Sequence, residues 1–334
     1  MEQRMADLPA ERIEASPPFT NTGLDCFGPF TVRHGRKEAK RYGLILTCLA
    51  SRAVHLEVLE DMTTDSFICG LRRFIAIRGN VKTIRCDRGT NFVGAAREFR
   101  QARHEMDPDR VVKEMVERNC NFIFNPPHAS HFGGVWERLI RTVRQVFSGL
   151  LLEHGSRLTS DTLSTVFHEV ASVVNNRPLC VTQLEDPTSC EPLTPNHLLT
   201  LQPEPIFPPP GTFQKEDQYS RKRWRRVQYL VEQFWTRWKK EYLPTLQPRR
   251  KWFHQKDAVQ PGMVVLLIED GAPRGTWRMA RVEKTYPGGD GLIRSVQLRV
   301  STSVKTTKGL PTVQTSFIDR PIHKLVPLHL KDTE

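Results

Sequence analysis

An aspartate inside an apolar, extended segment constrains the N-terminal part of this chain more than any other feature. The segment TGLDCFGPF places Asp25 among residues that favour a buried strand. A carboxylate in such surroundings is costly unless something compensates its charge. Asp25 therefore predicts a strand that carries either one ligand of a bound cation or, alternatively, a turn cap or an ion pair.

The segments that follow predict an α/β fold. TGLDCFGPFTV and RYGLILTCLA have the pattern of a hairpin around the basic turn RHGRKEAK, and AVHLEVLE that of a third strand. A helix ended by Gly79, a strand at VKTIRC, a charged helical region over about 95–118 and a strand at CNFIFN come next. Helices are then predicted from Gly134 and over 159–175. The order is compatible with a ribonuclease H-like mixed five-stranded sheet with helices, among related topologies.

The C-terminal part has a different pattern. Five prolines and a glycine between Leu201 and Ser220 predict a linker over 201–220. The basic segment after it predicts a helix with one apolar stripe, formed by Trp224, Val227, Val231, Phe234, Trp238 and Tyr242. From about 258 to 328, short strand-like runs broken by Gly and Pro predict a small β-barrel.

The formal charge of +12 and the pI near 9.6 point to a strongly anionic partner, with a soluble basic protein as the alternative. The segment 221–254 has eleven Lys or Arg, two Glu and four interleaved tryptophans. This composition can bind nucleic acid by phosphate contacts and stacking, although tryptophans at helical spacing also fit a buried stripe. RKRWRR also matches a nuclear localisation pattern, which predicts an intracellular, nuclear protein. The candidate DNA-binding residues here are Arg221, Lys222, Arg223, Arg225 and Arg226.

The seven cysteines are odd in number and scattered, and they form no CxxC pair. This usage favours buried thiols in a reducing compartment over a disulfide framework, and no zinc site is predicted. No apolar run approaches the roughly 20 residues that a membrane span requires, so no membrane association is expected. Nothing in the sequence predicts a small-molecule cofactor.

Two further carboxylates stand where they can meet Asp25. Asp87 follows the strand VKTIRC, and Glu137 lies one turn inside the helix that begins after a glycine pair. If the two strands are neighbours and the helix crosses their ends, the three carboxylates converge, and such a group suits Mg²⁺. Taken singly, Asp87 can instead begin an Asx-turn, and Glu137 can be a solvated helix residue.

Four other positions are candidates for contacts with DNA. Arg141 and Arg144 share the helical face of Glu137 and can contact phosphates, or they can be solvated helix charges. Asn91 can position substrate or, as is favoured, brace the loop in which it lies. His131 is expected to shape a glycine-containing mobile loop beside the site rather than bind metal.

These segments together resemble the integrase of retroviruses and long-terminal-repeat retrotransposons, most closely the Bel/Pao group. The resemblance is carried by MADLP, TGLDCFGPF, CDRGTNFVGA, FNPPHASHFGGVWERLIRTVR, NNRPL and LTPNHLL. It implies a ribonuclease H-like catalytic core in which Asp25, Asp87 and Glu137 coordinate Mg²⁺ or Mn²⁺. The 49 residues between Asp87 and Glu137 exceed the usual retroviral spacing and look like the longer insertion of the Bel/Pao branch. The C-terminal region resembles the domain of unknown function that closes Bel/Pao polyproteins.

The implied domains are an N-terminal tail (1–18), the catalytic core (19–200), the linker (201–220) and a basic helix with a β-rich domain (221–334). The family's upstream zinc domain is expected to be missing, which makes the chain a fragment, a truncated gene model or a host-retained remnant. The implied activity is 3′-end processing and strand transfer on element ends and target DNA by a homo-multimer. A DNA- or chromatin-binding remnant without catalysis and a nuclease that does not join DNA are the alternatives.

Overall fold

The computed structural model describes residues 10–87, 109, 113, 120–125, 134–154, 158–181, 192–201, 209–246, 259–269, 272, 274–289, 291–305 and 311–328. The described helices are α1 (Ala10–Ile13), α2 (Thr64–Arg78), α3 (Gly134–His154), α4 (Ser160–Asn175), α5 (Pro195–Thr200) and α6 (Arg223–Leu246). The described strands are β1 (Asn21–His34), β2 (Lys37–Cys48), β3 (Val54–Leu59), β4 (Thr83–Asp87), β5 (Asn121–Asn125), β6 (Cys180–Val181), β7 (Pro192–Leu193), β8 (Val264–Leu267), β9 (Met279–Pro287), β10 (Ile293–Lys305), β11 (Pro311–Pro321) and β12 (Leu325–Pro327). Within the described ranges, none of the helices combines the length and the apolar character that a bilayer crossing requires.

The chain divides into two compact units. The first comprises Met1–Asn175, Leu198–Pro203 and Pro209–Trp238, and the second comprises Asn176–His197, Glu204–Pro208 and Lys239–Glu334. The domain boundaries expected from the sequence remain a prediction.

A mixed five-stranded sheet in the order β3-β2-β1-β4-β5 forms the centre of the first unit. Strand β1 runs antiparallel to β2 and parallel to β4, and β4 is parallel to β5. The sequence predicted these strands and their mixed α/β setting. The predicted basic turn was too long, because only Gly35 and Arg36 separate β1 from β2, and Gly35 adopts a φ of 62°.

The two faces of β1 carry different cores. Leu24 and Cys26 belong to the cluster that packs beside α2, which ends, as predicted, before Gly79. On the opposite face, Phe27 stacks on Phe167 of α4 with ring centroids 5.8 Å apart. Gly43 of β2 makes this possible, because a Cβ there would lie 2.5 Å from the Phe27 ring. Burial of these aromatic rings fixes the helices against this face of the sheet.

Two polar segments, NNRPL and LTPNHLL, contribute side chains that stabilise the fold. The carboxamide of Asn175, at the end of α4, accepts a hydrogen bond from the Val54 N–H and donates one to the Val54 carbonyl, both at 2.7 Å. Val54 is the first residue of β3, which is an edge strand of the sheet. Asn175 therefore satisfies two backbone groups of Val54 that have no partner on a neighbouring strand. Its neighbour Asn176 accepts a hydrogen bond from Asn196 Nδ2, which joins the segments NNRPL and LTPNHLL.

The second unit contains a five-stranded sheet in the order β11-β10-β9-β8-β12. Val282, Val296 and Leu298 are fully buried and form part of its core. The strand-rich C-terminal region was predicted correctly, but the predicted closed barrel is not found among the described strands, where β11 and β12 are the two ends of an open sheet. A sequence pattern identifies strands, whereas closure depends on the tilt and register of all of them together.

Asn175→Ala should lower the free energy of unfolding by about 2–4 kcal/mol, because it leaves a buried N–H and a buried carbonyl of Val54 without partners. Denaturant unfolding of the full chain measures this. Thr165→Ala, on an exposed position of the same helix, is the matched control and should change the value by less than about 0.5 kcal/mol. Equal effects of the two substitutions would contradict the assigned role of Asn175.

Candidate active site

The register of the central strands brings the two aspartates to one level of the sheet. Leu24 of β1 pairs with Cys86 of β4, and the strands run parallel. Asp25 and Asp87 each follow a member of this pair, so they occupy equivalent positions on neighbouring strands and on the same face of the sheet. Asp87 in turn pairs with Asn125 of β5. The backbone register is compatible with the predicted convergence of Asp25 and Asp87, which remains a prediction.

The Asp25 side chain has a cationic partner. Arg144 of α3 donates a hydrogen bond from Nη1 to Asp25 Oδ2 at 2.7 Å, and the Cys26 N–H donates to Oδ1 at 2.9 Å. The Arg144 and Asp25 side chains are 28% and 23% exposed, so the pair is partly shielded from water. Of the alternatives considered for Asp25, the structure shows the ion pair, with Arg144 as its cation.

Helix α3 carries Glu137, the third carboxylate of the predicted site. Its predicted apolar stripe is buried at Ile140, Val143 and Phe147, which fixes the rotation of the helix. Glu137 lies seven residues before Arg144, which corresponds to two helical turns, or about 10 Å along the axis, on nearly the same face. The contact of Arg144 with Asp25 therefore packs α3 against the strand that carries Asp25, and the approach of Glu137 to the two aspartates remains a prediction.

A second ion pair lies beside the end of β4. Arg85 of β4, two residues before Asp87, donates two hydrogen bonds of 2.9 Å to the carboxylate of Glu11 in α1. Bidentate geometry of this kind holds both side chains in one orientation. The N-terminal helix is thereby tied to the strand that ends at Asp87.

The chemistry available here is that of carboxylates beside a cation. Among the described residues, no three His, Cys, Asp or Glu side chains are grouped as a metal ion requires, and the side chains of Asp87 and Glu137 lie outside the described set. Asp25 itself fits a metal ligand, because its side chain is 23% exposed and its carboxylate already compensates a positive charge. The metal remains a prediction.

The other predicted DNA contacts are placed unequally. Asn91 and His131 lie outside the described residues. Arg141 is exposed on α3, whereas Arg144 donates a hydrogen bond to Asp25.

The five basic residues predicted at the start of α6 also differ. Arg221, Lys222 and Arg223 are exposed. Arg225 donates hydrogen bonds of 2.6 and 3.0 Å to Asp217, and Arg226 donates one to the Ser220 carbonyl. The hydrogen bonds from Arg225 hold the pKa of Asp217 below its usual value.

A buried polar cluster on β3 and α2 was missed at the sequence level. His55 Nε2 lies 3.1 Å from Glu57 Oε1, and Arg73 donates to Glu57 Oε2 at 2.9 Å. Burial lowers the pKa of His55 despite the opposing effect of Glu57. Burial also raises the pKa of Glu57, but the hydrogen bonds from His55 and Arg73 outweigh it and the pKa ends below the usual value. The alternation in VHLEVL was the only available signal. The partners of these side chains within the fold indicate a structural network.

A family model matches the C-terminal part of the chain. A protein family described as a family of unknown function (DUF5641) matches residues 222–328. This agrees with the expectation of a C-terminal domain of unknown function, without connecting it to Bel/Pao elements. No curated protein matches the chain.

One similar solved structure is a chain of the cryo-EM structure of the simian T-cell lymphotropic virus intasome in complex with the PP2A regulatory subunit B56 gamma. It is 13% identical with a TM-score of 0.35, covering 98% of this chain and 86% of that chain. Similarity of this size supports no argument about function.

The Asp25–Arg144 ion pair should be visible in a double-mutant cycle. Asp25→Asn and Arg144→Ala are each expected to destabilise the metal-free chain, and their coupling energy should be about 1–2 kcal/mol, because the charge-assisted hydrogen bond is partly shielded. Denaturant unfolding in EDTA gives the four free energies. Arg141→Ala, three residues earlier on α3, is the control and should be additive with Asp25→Asn; additivity for Arg144→Ala would contradict the pair.

Proposed function

We propose that this chain is an integrase-type polynucleotidyl transferase that uses Asp25, Asp87 and Glu137. One observation carries the proposal: the β1–β4 register sets Asp25 and Asp87 at one level of the sheet, while Arg144 docks the Glu137-bearing helix on Asp25. Three carboxylates from two strands and a helix are what a metal-dependent phosphodiester site requires. The order β3-β2-β1-β4-β5, with β1 antiparallel to β2 and parallel to β4, supports assigning a ribonuclease H-like core.

The proposed cofactor is Mg²⁺ or Mn²⁺, held by Asp25, Asp87 and Glu137. When bound, such ions stabilise charge on the attacking and leaving oxygens of an in-line displacement, so that no covalent enzyme intermediate is needed. The carboxylates of this chain supply the negative charge and hard oxygen ligands for that role. No zinc is proposed.

Arg144 is proposed to change partner during the reaction. In the metal-free chain it neutralises Asp25, which would otherwise be a poorly compensated carboxylate in an apolar strand. A divalent cation held by Asp25 would compensate that charge in its place and would leave the Arg144 guanidinium available close to the site. A DNA phosphate is the natural anion for it there, and Arg141 lies on the same helix face.

The substrates we propose are element ends and target DNA, and the proposed assembly is a homo-multimer in the nucleus. The net charge of +12 supports a polyanionic substrate. The Bel/Pao assignment rests on the sequence motifs. A catalytically silent DNA-binding remnant is the second candidate. The observation in its favour is the Asp25–Arg144 pair, since a guanidinium already occupies one oxygen of the proposed site.

A product assay tests the reaction. The purified chain is given Mg²⁺ and duplex oligonucleotides with candidate terminal sequences, beside a Glu137→Gln variant that removes one carboxylate charge without changing size. Joined products are expected from the wild type, with the variant at about one hundredth of that rate or below. Cleavage without joining would favour a nuclease, and equal DNA binding with no product from either protein would contradict an enzymatic function.

Metal binding tests the site apart from turnover. Mg²⁺ is expected to raise the melting temperature of the wild type but not of Asp25→Asn. Arg144→Gln should raise the apparent Mg²⁺ affinity roughly tenfold, because it removes a repelling charge worth on the order of 1 kcal/mol from Asp25. Arg141→Gln removes the same charge one turn earlier and should have a smaller effect; the same affinity in Arg144→Gln and wild type would contradict competition for Asp25.

A further inference from the structure

The stripe predicted for α6 is buried except at its first member. Val227, Val231, Phe234 and Trp238 are at most 2% exposed, whereas Trp224 is 49% exposed. The buried members explain how the helix packs, and Phe234 lies against Phe147 of α3 with ring centroids 5.3 Å apart. Helix packing therefore does not account for the largest side chain at the start of the stripe.

The exposed ring is held in place by its neighbours. Phe213 meets Trp224 edge to face, with centroids 6.0 Å apart and planes at 85°. The Arg225 guanidinium lies 5.6 Å from the Trp224 centroid and 5.4 Å from that of Phe213. Arg225 is itself fixed by two hydrogen bonds to Asp217 and one to the Thr212 carbonyl. A ring that is ordered before binding loses little entropy when a ligand covers it.

The surroundings of the ring are strongly basic. Residues 209–226 contain six Lys or Arg and two acidic residues, Glu216 and Asp217. Asp217 is engaged by Arg225, and the exposed Arg221, Lys222 and Arg223 immediately precede Trp224. Arg223 also approaches Asp161 at 3.9 Å, but both side chains are more than two-thirds exposed and such a pair contributes little. The patch therefore combines a fixed aromatic face with cations suited to phosphates.

We propose that this patch, formed by Phe213, Trp224 and Arg225 with Arg221, Lys222 and Arg223, binds single-stranded nucleic acid. An unpaired base would stack on Trp224 while flanking phosphates contact the three exposed cations. An acidic peptide would use the cations but leave the flat ring without a function, and in a duplex the bases already stack on one another. The inference goes beyond the proposed function, because it needs neither the carboxylates nor the metal.

Fluorescence anisotropy tests this on the full chain in EDTA. The probes are labelled oligothymidine of about twelve nucleotides, an abasic strand of equal length, the matching oligouridine and a duplex. The wild type is expected to prefer oligothymidine over the abasic strand. Trp224→Ala should weaken oligothymidine binding by about fivefold to a hundredfold, the range expected for one stacked base, and leave abasic binding unchanged. Trp224→Phe should retain most of the affinity.

Three controls separate the contributions. Lys222→Gln should weaken binding to both strands alike, because both have phosphates. Tyr286, on β9, has a side chain that is 40% exposed and a hydroxyl that donates a hydrogen bond to Asp319. Tyr286→Ala should leave nucleic-acid binding unchanged. The EDTA in the buffer is the third control, because it removes divalent metal, so failure of the catalytic proposal would leave this result intact.

The oligouridine probe tests whether the patch binds a ribose strand as well as a deoxyribose strand. If the affinity for either strand depends on Trp224, stacking is supported. If the affinity for both strands depends on Trp224, the ring contacts the base rather than the sugar. Equal affinity of the wild type for oligothymidine and the abasic strand would overturn the proposal. So would wild-type affinity in Trp224→Ala, or an equal loss in that variant on the duplex.

Discussion

Strand β1 is hydrogen-bonded along both edges, and the rest of the first unit depends on this double pairing. Pairing with β2 and β4 fixes the position of Asp25 along the sheet. The backbone register alone then sets Asp87 at the same level, and no contact between side chains is needed. The same pairing presents Phe27 to the helices on one face. A one-residue slip of β1 would exchange the two faces and place Asp25 in the α2 core.

Local patterns were sufficient for much of this architecture. The strand segments, the end of α2 at Gly79 and the buried stripes of α3 and α6 follow from hydrophobic period and from glycine, which act within a few residues of the chain. The level of Asp25 and Asp87 was a conditional prediction that needed the two strands to be neighbours. Closure of the C-terminal sheet was beyond such patterns, because it depends on all strands at once.

The side-chain contacts that fix the sheet and the candidate site join residues far apart in sequence. Arg144 and Asp25 are separated by 119 positions, and Asn175 and Val54 by 121. No local rule pairs such residues, since the pairing follows only once the helices have packed. Trp224 shows the opposite case, because its position in the helical period predicted burial and its place at the beginning of α6 left it exposed. A periodic pattern predicts which face is apolar, but not how far along the helix the neighbouring elements extend.

The Asn175 carboxamide also affects how copies of this chain can associate. An end strand normally offers its outward N–H and carbonyl groups to any incoming strand, and this is how sheets join between molecules. At Val54 both groups are already engaged by a side chain from α4. Another strand could pair here only by displacing that helix end. Strand addition between copies is therefore opposed at the Val54 end of β3.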